Sequence, residues 1–224
     1  ARNDKRLVRK TFASSEPLPE GVAKVLIKDD YWGTKVALAK NGTVGIEVLT
    51  ELTKDRQAVV RKALCQAPKL PKEILKVLGD DENDTVIEEI FKRTDLEIED
   101  LEILSECKNW RARALVTRNA KVSVELLLKL AVDEEKRVKL QMAKRSEIPD
   151  EVVLKLIFGE TSGNSIRKLV LKKELSDMVL VELAKNGDNY VKKVIAKRTN
   201  LPAEAVTILS QDENADVRAK LKAS

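Results

Sequence analysis

The side chains best suited to act on another molecule are basic and recur at intervals: Lys92-Arg93, Arg118, Lys144-Arg145, Lys172-Lys173 and Lys197-Arg198. A stripe of such cations could bind a phosphate backbone or an acidic protein surface. Four aromatic residues, Tyr31, Trp32, Trp110 and Tyr190, form a second set. They could anchor a protein partner or stack on nucleic-acid bases. Bond-making chemistry is poorly served. With no histidine, the chain lacks imidazole acid–base catalysis and most zinc ligation. Its two cysteines, Cys65 and Cys107, make neither a disulfide framework nor a metal site. No phosphate-binding glycine loop, nucleophile elbow or metal-ligand spacing occurs, and abundant carboxylates without a pocket are not a site. The expected protein is a binding module rather than an enzyme, with no cofactor and no metal.

The elements that position these residues follow from composition and periodicity. Of 224 residues, 43% are hydrophobic, 35% charged and only 3% aromatic, which suits helices and disfavours a β-sandwich. A net charge of +5 is compatible with an acidic partner but too small to establish nucleic-acid binding. No apolar run approaches the length of a membrane span, and Ala1 to Lys10 is charged throughout, unlike a signal peptide. A reducing, cytoplasmic setting is expected.

Self-comparison exposes a repeat. Val60 to Ala67 followed by Leu70 to Leu75 recurs as Val86 to Arg93 with Leu96 to Glu99, as Val138 to Arg145 with Ile148 to Glu151, and as Val191 to Arg198 with Leu201 to Glu204. The frame extends through Val8, Thr34, Arg111 and Ile166, and Val217 opens a last copy that the end of the chain cuts short. This gives about eight repeats of about 26 residues plus a fragment. In each, Val60, Ala63, Leu64 and Ala67 share one helical face, and Leu70, Ile74, Leu75 and Leu78 share another. Pro71, Pro149 and Pro202 mark where second helices begin, and the acidic runs Asp80 to Asp84 and Asp212 to Asn214 can cap the first helices that follow. Neither helix can bury its apolar face alone, so the pairs must stack. The expected fold is all-α: an α-solenoid forming a single domain over residues 1–224. Gly159 to Asn164 is a longer loop between repeats and Asn41-Gly42 a helix stop.

Slots that recur should hold the stack, and slots that vary should face solvent or a partner. A cation follows the anchoring apolar residue at Arg9, Lys35, Arg61, Lys139, Arg167, Lys192 and Arg218, and should pair with acidic turns such as those at Asp133 and Asp212. The second basic series has an ordinary explanation too, since a cation near a helix C-terminus contributes about 0.3–1 kcal/mol. The aromatic slot varies between copies and should be at least partly exposed. Cys65 replaces alanine in a core slot, whereas Cys107, in an inter-repeat turn, is expected to face solvent. Glu97, Glu99, Asp100, Glu102 and Glu106 read as a solvated face.

The segments Leu70 to Arg93, Ile148 to Lys173 and Leu201 to Leu221 resemble the leucine-rich repeat variant family, whose repeats approach LPxEvLxxLAxDxxxxVRxxVAxR/N. The likeness extends over nearly the whole chain. It implies a right-handed superhelix of α-helices alternating with short 3₁₀ or α-helices, in a family associated mainly with macromolecular interaction or with no assigned activity. The repeats here are longer than the family's, which favours a fully α second helix. The chain also lacks an N-terminal cysteine cluster, so no iron–sulfur module is carried over. HEAT-like repeats, with longer units, would give a similar scaffold. A protein partner is the first expectation and nucleic acid the second. A base-releasing enzyme using Trp32 or Trp110 beside an aspartate would rest on fold analogy alone.

Overall fold

The computed structural model describes residues 2–159 and 164–222, so residues 160–163 of the loop expected at Gly159 to Asn164 lie outside the described residues. Among the described residues every regular element is an α-helix. First helices of the repeats are α1 (Arg2–Ala13), α3 (Trp32–Lys40), α5 (Ala58–Leu64), α7 (Asp84–Ile90), α9 (Trp110–Val116), α11 (Lys136–Ala143), α13 (Asn164–Val170), α15 (Asn189–Ile195) and α17 (Ala215–Lys222). Second helices are α2 (Glu20–Leu26), α4 (Ile46–Leu52), α6 (Lys72–Gly79), α8 (Ile98–Ser105), α10 (Val124–Leu130), α12 (Asp150–Phe158), α14 (Asp177–Asn186) and α16 (Ala203–Ser210). The second helices are α, not 3₁₀.

The chain divides into two compact units, Ala1–Val122 and Ser123–Ser224. In the first, α1, α3, α5, α7 and α9 pack each on the next, and α6 packs on α8. In the second, α10, α12, α14 and α16 pack in order, α11 on α13, and α15 on α17. The same apolar slots are buried each time: Val60, Ala63 and Leu64, then Val86 and Ile90, then Val138 and Met142, then Val191 and Ile195. Helices this short are marginal alone and gain their stability from such packing.

Local signals end and begin each helix. Pro19, Pro71, Pro149 and Pro202 occupy the N-cap, one place earlier than the first-turn position that proline favours. Their carbonyls accept the first helical bonds, as from Leu75 N–H at 2.9 Å to Pro71. Ser123 and Ser176 cap through their hydroxyls, which accept from Leu126 and Val179.

The cations after the anchoring residue form ion pairs to the next repeat's turn. In the first unit Arg9 pairs with Asp29 at 2.6 Å, Lys35 with Asp55 at 2.8 Å and Arg61 with Asp81 at 2.6 Å. In the second, Arg167 pairs with Asp188 at 2.6 Å and Lys192 with Asp212 at 2.8 Å. Asp29, Asp55, Asp81 and Asp212 also accept a backbone N–H two residues on, from Tyr31, Gln57, Asn83 and Asn214. One carboxylate thus shapes the turn and ties it to the preceding repeat. Lys139 occupies the same slot, fully buried; burial pulls its pKa below the ordinary lysine value, opposed by Asp133 and Glu135.

At one rung the chemistry changes. Ile87 stands in the cation slot, and twenty residues on the aspartate slot holds Cys107. Both are buried. Cys107 is therefore not the solvent-facing thiol expected from its place in a turn: it is 2% exposed. Its sulfur lies where a Cβ on Gly79 would stand only 2.6 Å away, so glycine at 79 makes the room. Cys65 is buried as expected, and desolvation raises both thiol pKa values to about 12.

Candidate functional site

Adjacent residues at the exit of the first helices face different ways, because one step along a helix turns a side chain by about 100°. The second member of the pair is drawn onto the preceding repeat at Arg93, Lys173 and Arg198. Arg93 donates to the carbonyls of Cys65 and Ala67, both at 2.8 Å. Asn41, in the same slot, donates to Ala13 at 2.9 Å and Ser15 at 2.8 Å. Lys173 donates to the Arg145 carbonyl, and Arg198 to those of Leu171 (2.9 Å) and Lys173. Arg145, half-buried, donates to the Glu147 carbonyl at 3.3 Å, and desolvation lowers its pKa. Arg93, Lys173 and Arg198 clamp the helix ends of the preceding repeat.

The first members point outward. Lys92, Arg118, Lys144, Lys172 and Lys197 are all exposed, and so is Lys40 in the same register. Lys40 falls in the same 26-residue register, with Asn41 after it as Asn119 follows Arg118. Lys92 is neutralised by Glu89 at 2.7 Å. Glu89 also accepts from Gln66 at 2.5 Å and lies 3.4 Å from Lys62, and these partners lower its pKa to about 2. Arg118, Lys144, Lys172 and Lys197 make no ion pair among the described residues.

The aromatic residues lie at the other end of the first helices. Trp32 is 44% exposed and Tyr190 36%, while Tyr31 and Trp110 are half-buried. Arg111 stacks over Trp110 at 4.9 Å and is paired with Asp84. Tyr31 lies 5.7 Å from Trp32, with Arg6 over its ring at 5.6 Å. A seven-residue helix such as α9 separates its aromatic entrance from its basic exit by roughly 10 Å. Arg118 and Trp110 therefore belong to different edges.

The aromatic edge of the first unit is grooved. A cleft of about 420 Å³ lies between the turns that precede α3 and α5, with Trp32 at its mouth and the Lys35–Asp55 rung along it. Its acids are largely neutralised: Asp29 by Arg9, Asp55 by Lys35, and Glu51 by Lys54 at 3.1 Å. The Arg9 guanidinium holds the Asp29 carboxyl far below the usual carboxylate range. Lys28 and Arg56, exposed on the two flanking turns, make no ion pair among the described residues. A second cleft of about 330 Å³ follows beyond Arg56 and is bordered by Asp80, Asp81 and Glu82.

Among the described residues no cluster of histidine, cysteine, aspartate or glutamate could hold a metal, and no helix is long and apolar enough to cross a membrane. Recurring helical pairs, first helix packed on first and second on second, with buried rungs at a fixed register, define a helical-repeat solenoid scaffold. The chain is similar to a solved structure described as a leucine-rich repeat variant with a novel repetitive protein structural motif. The two share 25% identity over 90% of this chain and 80% of that one, with a TM-score of 0.51. The resemblance read from the repeat motif thus holds at the level of structure. No family model and no curated protein matches the chain.

Proposed function

We propose that this chain is a non-enzymatic scaffold that binds a protein partner along the outward side chains of its repeats. The observation that carries this reading is the division of labour between slots. Arg61, Arg93 and their equivalents are engaged within the stack, whereas Trp32, Tyr190, Lys28 and Arg56 vary between repeats and stay outside it. Solenoids commonly bind through such an extended surface. A cytoplasmic, reducing setting suits the two unpaired thiols. The test is to recover what co-purifies with the chain, express the recovered protein alone, and titrate it against the pure chain by calorimetry. A saturable isotherm is expected; no saturable complex at micromolar concentration would contradict the reading.

A second reading, polyanion binding, is favoured by Lys144, Lys172 and Lys197. These exposed cations recur in three successive repeats, and the helix-end carbonyls of Leu171 and Lys173 already receive Arg198. Three phosphate contacts would give a log–log salt slope of about −2.1 for single strands or about −2.7 for duplex. A flat salt dependence would remove this reading.

A further inference from the structure

We propose that the cleft between the turns preceding α3 and α5 docks a short acidic polypeptide segment carrying one apolar anchor residue; this rests on the scaffold reading above. At about 420 Å³ the cleft has room for one or two side chains. The exposed indole of Trp32 supplies an anchoring surface, and the half-buried Ile27 adds apolar lining. Because Asp29, Asp55 and Glu51 already have cationic partners, the charge left over in the cleft comes chiefly from Lys28 and Arg56. Asp30 is the remaining acid and lies 3.5 Å from Arg9.

The two cations stand in successive turns. Stacked helices lie about 8–10 Å apart; a polyproline II segment turns once in about three residues and advances about 3.1 Å per residue, so carboxylates three residues apart lie on one face about 9 Å apart and match them, with the apolar residue between them in sequence. The adjoining cleft reverses sign: Asp80 and Glu82 border it, and Glu82 is 91% exposed. A phosphate backbone continuing past Arg56 would meet those carboxylates. A polypeptide can change charge at that point, which favours it as the occupant.

The test uses the full chain and capped, tryptophan-free eight-residue peptides containing Glu-Ser-Phe-Glu, with fluorescence anisotropy of the labelled peptide as readout. Saturable binding is expected, weakened about tenfold by Lys28→Glu with Arg56→Glu and about as much by Trp32→Ala. Lys144→Glu with Lys172→Glu should leave it unchanged. Circular dichroism of each variant verifies that the helices persist. The proposal is overturned if a peptide with lysines in place of the glutamates binds equally well, or if the Lys28/Arg56 variant binds as wild type. It is also overturned if oligothymidylate occupies the cleft more tightly and displaces the peptide. Should the peptide fail while a recovered protein still binds and is insensitive to the Lys28/Arg56 change, the cleft assignment falls and the scaffold reading stands.

Discussion

The Arg61–Asp81 rung and the Ile87/Cys107 rung occupy the same two slots in consecutive repeats with opposite chemistry. The first holds a bidentate ion pair, Nε to Oδ2 at 2.6 Å and Nη2 to Oδ1 at 2.8 Å, with a further bond from Arg61 to the Asp55 carbonyl at 2.7 Å. The second holds an aliphatic side chain and a protonated thiol beside Gly79. Both are buried, so the slot demands matched filling and not charge as such. Buried ion pairs stabilise little over a well-packed apolar substitute, yet losing one partner is costly because the other charge is left without its match.

That comparison is most easily broken at Asp81. Asp81→Ala should cost about 3 kcal/mol in urea unfolding, since Arg61 would keep only the Asp55 carbonyl and Glu82 at 3.7 Å. Arg93→Ala should cost about 2 kcal/mol, because the carbonyls of Cys65 and Ala67 lose a charged donor. The apolar rung is sharpened by Gly79→Ala. Its Cβ would stand 2.6 Å from the Cys107 sulfur and 2.9 Å from Leu104, and the overpacking should cost about 1–2 kcal/mol by the same assay.

Acid should act on the ionic rungs and spare the apolar one. Asp29, Asp212 and Glu89 have folded pKa values below their unfolded ones, Glu89 at about 2. Their contribution is complete above an unfolded carboxylate pKa of about 4 and is lost as pH falls towards 2. The melting temperature should therefore drop between pH 5 and pH 2.5; an unchanged value would contradict the assignment. Smallest of all, Lys92→Ala should alter stability by less than about 0.5 kcal/mol although it adjoins Arg93.

The repeat, its helix pairs and the cation-to-turn pairing were all legible in the sequence, because each is a matter of register: Lys192 and Asp212 recur in the same places as Lys35 and Asp55. Arg93 and Lys92 were not separable by eye, since residue type is alike and only the helical phase at a fraying end sets them apart. Cys107 was misplaced because a turn residue is ordinarily exposed, and the room for its sulfur is made by Gly79, distant in sequence. The cleft beside Trp32 depends on how far apart two turns are held, which no local pattern records.

A double-mutant cycle between Arg61→Met and Asp81→Ala, read by urea unfolding, tests most directly whether matched rungs hold successive repeats in register. The double variant should be more stable than the sum of the single losses by at least about 2 kcal/mol. Losses that add to within about 0.5 kcal/mol would show that the two side chains act independently, and would contradict the account.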